Sequence, residues 1–291
     1  MIIVITGATG TGKSRLAIEL AKRIGGEIVN ADAFQVYQEL GIATSKPTPD
    51  MLKEAPHHLY DFVPLTVDYD VATYQKDLRK ILTDILSRGK TPIIAGGTGL
   101  YIRAGLYDYD FAPLPEVDLS AYRSLGDAEL FKKLLVIDPL EATKIHPHNR
   151  VRVMRAIEIY LSSGKTKSDI LASQKHEPLF ETVFFGLKLD REILYPSVEK
   201  KVDEMFARGL EEEDRNLVTK YGRGPRAFKA IGVKEFFPYF DGEIALEEVK
   251  GAIKENTRHY IKRQETFFRH QFAISWVDSA DEILASIKER E

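Results

Sequence analysis

The sequence predicts an α/β fold in which a parallel sheet is flanked by helices and interrupted once by a helical insertion. Three observations carry this expectation. Short apolar runs at residues 2–5, 91–95 and 182–187 have the length of strands covered on both faces. Helix-period segments at 14–24 and 72–87 alternate with the early strands, as parallel sheets require. Residues 118–174 then offer helical pieces and no convincing strand.

Each element has its own local reason. Ile2-Ile3-Val4-Ile5 is an unbroken apolar strand, and the residues from Gly7 to Gly12 must turn. The helix over 14–24 places Leu16, Ala17, Leu20, Ala21 and Ile24 on one face and stops at Gly25-Gly26. Glu27-Ile28-Val29 resumes as a strand that leads to Asp32. Residues 41–70, rich in proline, histidine and threonine, read as a loop, and the helix over 72–87 ends at Gly89. Thr91-Pro92-Ile93-Ile94-Ala95 is a third strand, and Gly96-Gly97-Thr98-Gly99 turns the chain into another helix.

Beyond Pro113 and Pro115 the character changes: a helix over 128–137 is halted by Asp138-Pro139 and one over 150–163 by Gly164. Strand character returns at 182–187, followed by helices near 196–208, 211–220 and 245–270 and a short strand at Ser275-Trp276-Val277. The expected division is a core of residues 1–114 and 181–291 around a helical insertion of 115–180.

Composition narrows the chemistry. With 291 residues, 44% hydrophobic and 29% charged, the chain can bury a sizeable core and is neither low-complexity nor largely disordered. The absence of cysteine excludes disulfides, thiolate metal sites and a cysteine nucleophile. No apolar run approaches about 18 residues, so no membrane span is expected and a cytoplasmic location is. Net charge is −3, from 41 Lys and Arg against 44 Asp and Glu, so the molecule as a whole is not steered toward a polyanion. The seven histidines form no zinc-binding pattern.

Gly7-Ala8-Thr9-Gly10-Thr11-Gly12-Lys13-Ser14 matches G-x-x-x-x-G-K-[ST] between an expected strand and an expected helix, the context that distinguishes a P-loop from a chance glycine-rich turn. Backbone N–H groups there curl around phosphate oxygens, with the helix N-terminus behind them. Lys13 would neutralise phosphate, and Ser14 would coordinate Mg²⁺. The fold class is therefore P-loop NTPase-like. Such a loop alone favours a kinase or nucleotide hydrolase.

Two further segments follow strands and face the same crevice. Asn30-Ala31-Asp32-Ala33-Phe34-Gln35-Val36-Tyr37 offers Asp32 as a magnesium ligand, a base, or merely a helix cap. The Gly96–Gly99 turn offers N–H groups and the Thr98 hydroxyl, donors suited to a departing pyrophosphate.

These segments, with GIATSKP from Gly41 to Pro47, Pro56-His57-His58-Leu59, RAIEIYLSSGK at 155–165 and R-x-Y-x-K-R-Q from Arg258 to Gln264, occur in order over nearly the whole chain. Together they resemble the tRNA dimethylallyltransferase (tRNA isopentenyltransferase) family. With no cysteine the chain lacks the zinc-finger segment of some eukaryotic relatives and is similar to the compact bacterial form.

The resemblance implies that the P-loop holds the pyrophosphate of dimethylallyl diphosphate. N6 of adenosine 37 in tRNA then attacks C1 of the allylic group and diphosphate leaves. It implies Asp32 as base, with Lys13, Mg²⁺ on Ser14, Thr98 and Arg226 stabilising the diphosphate. It places Asp32, Ala33, Phe34 and Gln35, and Val151, Arg152 and Arg155, against the tRNA anticodon stem-loop, with the target base taken out of its stack. Val151 stands where a common form of the family has glutamine, and Phe267 where relatives often carry tryptophan. No role follows for His57 and His58.

The helix over 150–163 also carries Arg150, and Lys254, Arg258 and Lys262 recur every four residues near the C-terminus, a stripe that either tracks a phosphate backbone or is a solvated face. A monomer is expected. The alternatives are a small-molecule kinase with the insertion as lid, an RNA-binding module, and an adenylate isopentenyltransferase acting on free nucleotide. The insertion and the basic stripe favour tRNA.

Overall fold

The computed structural model describes residues 1–111 and 115–290, so the expected boundary at residue 114, with Pro113, lies outside the described residues. The chain divides into two compact units, Met1–Leu106 with Leu179–Glu291, and Tyr107–Pro178.

The first unit opens as the alternation requires, with β1 (Ile2–Gly7), α1 (Lys13–Ile24), β2 (Glu27–Asn30), α2 (Pro49–Glu54), β3 (His57–His58), α3 (Val71–Ser87), β4 (Pro92–Ala95) and α4 (Gly99–Leu106). In the second unit follow α5 (Ser120–Arg123), α6 (Asp127–Ile137), α7 (Pro139–Ala142), α8 (Arg150–Ser163) and α9 (Lys167–Ser173). The first unit resumes with β5 (Thr182–Leu187), α10 (Arg191–Ala207) and α11 (Leu210–Tyr221). Two 3₁₀ turns, Arg226–Lys229 and Lys234–Phe236, lead to α12 (Phe237–Phe240), α13 (Leu246–Gln271), β6 (Ser275–Trp276) and α14 (Ala280–Lys288).

All strand pairs are parallel, in the order β3-β2-β4-β1-β5-β6. β1 is central, and all six of its residues are buried. Ile3 and Ile5 on one face pack with Leu16 and Leu20 of α1, Phe185 of β5 and Ile283 of α14. The segment read as a loop over 41–70 hides two short elements. Thr48 caps α2 by accepting from the Met51 N–H at 3.3 Å, and His57 and His58 add an edge strand to Ile28 and Val29. His58 Nε2 meets Glu27 Oε2 at 2.8 Å and His57 Nδ1 meets the Ala55 carbonyl at 2.7 Å, so both histidines hold the sheet edge.

Other departures from expectation have clear causes. α10 begins at Arg191, because Pro196 sits inside the helix rather than at its first position. The C-terminal helix α14 adds to the elements expected from the sequence, and Ser279 caps it by accepting from the Glu282 N–H. The lysine and arginine stripe of α13 is largely consumed in packing: Lys254 pairs with Asp203 of α10 at 2.8 Å, and Arg258 pairs with Glu199. Those two residues lace α13 to α10 and are not a free cationic track.

Within the second unit, Leu130 and Leu134 of α6 pack on Val153 and Ile157 of α8. Arg150 donates to the carbonyls of Arg123 and Leu125, each at 2.8 Å, and to Asp127 at 3.0 Å, which makes it a structural staple.

Asp214 in α11 is fully buried, and neither carboxyl oxygen has a hydrogen-bond partner among the described residues. Burial, reinforced by the charges of Glu213 and Glu235, pushes its pKa up to about 9. Between the unfolded value near 4 and about 9, the folded chain therefore holds a proton that the unfolded chain has lost. Stability contributed by this group is present at low pH and falls as pH rises, by about 1.4 kcal/mol per unit at most. Asp214→Asn is expected to flatten that decline. Urea unfolding at pH 6 and pH 8.5 checks it, since wild type should lose stability relative to the variant at the higher pH.

Candidate active site

The loops that leave β1, β2 and β4 at their carboxyl ends meet in one cleft of about 470 Å³ within the first unit. The loop from β1 to α1 carries the phosphate motif. Gly10 has φ 89°, and a Cβ there would stand 2.5 Å from Val198 Cγ2, so only glycine passes beneath α10. Lys13 Nζ donates to the Ala8 carbonyl at 2.7 Å, and the Thr11 hydroxyl to the same carbonyl at 2.9 Å. Enclosure in the cleft draws the Lys13 pKa down to about 8; the Asp32 charge opposes this and Lys201 adds to it.

Asp32 follows β2 and is held from both sides. The Asn30 side chain accepts from the Asp32 N–H at 2.9 Å and donates to the carbonyls of Asp32 and Leu59 at 3.1 and 2.9 Å. Asp32 Oδ1 accepts from the N–H groups of Phe34 and Gln35 at 2.9 and 3.3 Å. One oxygen thus caps the local turn, and Oδ2 has no hydrogen-bond partner among the described residues. Burial raises the Asp32 pKa above the usual carboxylate value, against the pull of those two N–H groups and of Lys13.

The Thr98 hydroxyl oxygen accepts from the Ala33 N–H at 3.0 Å and so braces the Asp32 segment, and the same side chain is hydrogen-bonded with Tyr260 of the cleft wall. Gln264 of α13 joins the other two loops. Its Oε1 accepts from the Thr9 N–H at 2.8 Å and its Nε2 donates to the Gly97 carbonyl at 3.0 Å. A Cβ on Gly97 would lie 2.1 Å from that nitrogen, which explains the glycine. Nothing in local periodicity distinguishes Gln264 from a core-facing polar residue; its only sequence signal was the R-x-Y-x-K-R-Q pattern. Gln264→Ala orphans the Thr9 N–H and is expected to cost about 2 kcal/mol of stability, which thermal unfolding checks.

Lys13, Arg15, Lys201, Lys229, Lys234 and Arg263 line the cleft against a single carboxylate, Asp32. Arg15 and Lys234 are engaged by Glu54 and Glu235, at 2.7 and 3.8 Å. Val198, Val202 and Met205 of α10, with Ile231 and Ile253, give the same cleft a hydrocarbon wall. Ser14 and Phe34 also line it, as does Gln35, whose Nε2 already donates to the Thr44 carbonyl at 2.9 Å. Tyr60 and Tyr260 complete the wall; both hydroxyl pKa values are raised by burial and by the Asp32 charge, that of Tyr260 to about 12. Arg226, by contrast, is exposed and does not line the cleft; Tyr37, Asp70 and Tyr101 feel its charge. Lys229, at the other end of the same 3₁₀ turn, is the cation on the wall.

On α8 of the second unit, Val151 is 80% exposed and Arg152 is exposed with no partner for its guanidinium among the described residues. Arg155 is exposed but paired with Glu158 at 2.7 Å.

Residues 35–271 match the IPP transferase family, and residues 1–63 match the isopentenyl transferase family. A tRNA dimethylallyltransferase of Geobacillus thermodenitrificans is 43% identical over 296 residues, covering all of this chain and 94% of that protein. One from Bacillus subtilis is 39% identical with the same coverage. Among solved structures, a tRNA isopentenylpyrophosphate transferase of Staphylococcus epidermidis superposes with TM-score 0.75 at 36% identity, covering 100% of this chain and 99% of that one. A eukaryotic dimethylallyltransferase acting on tRNA superposes with TM-score 0.79 at 29% identity, covering 99% of this chain and 77% of that one.

Proposed function

Since the chain belongs to the tRNA dimethylallyltransferase family, a family of tRNA prenyltransferases, we propose that its cleft binds dimethylallyl diphosphate and presents it to N6 of adenosine 37 in a tRNA anticodon loop. The observation that carries this reading is the pairing, in one cleft, of a phosphate loop and cationic wall with a hydrocarbon wall and a lone carboxylate. Membership of the family also sets aside the kinase and free-nucleotide alternatives.

In this reading Gly10, Gly12, Lys13 and Ser14 of the phosphate loop cradle the diphosphate through backbone N–H groups, and Lys13, Lys201, Lys229 and Arg263 neutralise it. Adenine N6 is a poor nucleophile, because its lone pair is delocalised into the ring. It therefore needs placement and a base for the proton it sheds as the C–N bond forms. Asp32 supplies the base: its free oxygen takes the proton while the capped one fixes its orientation.

Magnesium fits the donor set. No cluster of three His, Asp or Glu side chains among the described residues could hold a metal alone, whereas the exposed Ser14 hydroxyl opens onto the phosphate loop. A hard cation there would take Ser14 and substrate oxygens and would neutralise charge on the departing diphosphate.

Arg152 and the exposed Val151 of α8 are the proposed tRNA contacts of the helical unit. No helix among the described residues is long and apolar enough to cross a membrane. The test is incubation of the protein with Mg²⁺, dimethylallyl diphosphate and unmodified tRNA or AMP, without ATP, followed by mass analysis of nucleosides. A gain of one dimethylallyl group on tRNA adenosine is expected. Transfer to AMP alone, or to neither, would sink the reading.

A further inference from the structure

We propose that Glu213 is a positioning residue for the acceptor nucleotide, acting through the backbone of residues 41–43 and the side chain of Gln35; this rests on the tRNA-prenylation reading. Glu213 lies in a run, Glu211-Glu212-Glu213-Asp214, that on sequence alone reads as a solvated helix face. Its carboxylate instead accepts three consecutive backbone N–H groups: Gly41 at 3.2 Å, Ile42 at 3.0 Å and Ala43 at 3.1 Å. Successive N–H groups converging in this way form an anion-binding concavity. Here the anion comes from the chain itself, some 170 residues away in sequence.

The clamped segment leads straight into the cleft. Ala43, Thr44 and Ser45 line it, and the carbonyls of Thr44 and Ser45 accept from Gln35 Nε2 at 2.9 and 3.4 Å. The Gln35 backbone N–H in turn bonds Asp32 Oδ1 at 3.3 Å. A continuous path therefore runs from α11 through residues 41–45 to Gln35 and the carboxylate. It also has a chemical consequence for the base. With its amide nitrogen held by two carbonyls, Gln35 has only its oxygen to offer, an acceptor matched to the exocyclic amine of adenine and repelled by the O6 carbonyl of guanine.

Glu213→Gln keeps one oxygen that can still accept from Ile42 and Ala43 but turns an amide donor toward the Gly41 N–H and removes the charge, which should loosen the segment. The experiment measures prenyl transfer to an anticodon stem-loop RNA by wild type, Glu213→Gln, Gln35→Ala and the double variant. Calorimetry of dimethylallyl diphosphate binding accompanies it. Glu213→Gln is expected to lower kcat/KM for RNA at least ten-fold, to leave the diphosphate Kd within two-fold, and to add less than two-fold on top of Gln35→Ala. A merely structural role would lower Tm and weaken both substrates alike. A wild-type rate in Glu213→Gln, or its full ten-fold loss repeated in the Gln35→Ala background, overturns the proposal. If Glu213→Gln does not fold, Glu213→Asp, which keeps the charge and shortens the reach, enters the same cycle. No transfer to RNA by wild type is a different result, and overturns the parent reading.

Discussion

Asp32→Asn is expected to lower kcat for prenyl transfer by about 10²–10⁴-fold, the usual worth of a positioned base, while changing the dimethylallyl diphosphate Kd by less than about three-fold. The residue has the geometry for this separation. One oxygen is committed to the N–H groups of Phe34 and Gln35, which asparagine can still satisfy through its own carbonyl. The other oxygen, the proposed proton acceptor, is what the variant removes. Because burial holds the Asp32 pKa of the free protein above its ordinary value, wild-type kcat/KM should rise with pH as the carboxylate ionises, over a range displaced upward from that of an ordinary aspartate, then level off. That limb should vanish in Asp32→Asn. Binding is best measured at pH 7, because loss of the Asp32 charge lowers the Lys13 pKa further. If the variant instead lost magnesium affinity and recovered its rate at high magnesium, Asp32 would be a ligand and not the base.

Lys13→Ala is expected to weaken dimethylallyl diphosphate binding by about 10²-fold, since a charge-assisted contact to phosphate in an enclosed site is worth about 2–3 kcal/mol. A second signature comes from its pKa near 8 in the free protein. The sign is that of a lowered lysine: below pH 8 the ammonium is present and binds directly, and above it a proton must be taken up from solvent. Wild-type Kd should therefore rise by up to ten-fold per pH unit above about 8, with no such slope in Lys13→Ala. Isothermal titration from pH 7 to pH 9.5 in buffers of differing ionisation enthalpy measures both the slope and the proton taken up. Equal pH dependence in the two proteins would remove Lys13 from the diphosphate site.

Much of this site is legible in the chain because it depends on local rules. The strand–glycine loop–helix order around Lys13, and the strand ends that precede Asp32 and Gly96, follow from apolar run length and turn chemistry. What escapes reading are features decided by distant partners. Glu213 looks like one more charge in an acidic run until residues 41–43 fold onto it. Arg226 and Lys229 are three residues apart in a single 3₁₀ turn, and no pattern tells which of them reaches the cleft. Lys254 and Arg258 have the spacing of a phosphate-tracking stripe, yet Asp203 and Glu199 of α10 claim them. The two-residue strand at His57–His58 is below the length at which alternation can be recognised.

The strand order has a metric consequence. The phosphate loop leaves β1 and the Asp32 segment leaves β2, with β4 lying between them. Neighbouring strands are spaced by about 4.8 Å, so about 10 Å separates the strand that ends in the phosphate loop from the strand that ends in Asp32. Backbone hydrogen bonding, which no side-chain substitution alters, therefore fixes where the two loops start, and substitutions in the cleft change its lining without changing that interval.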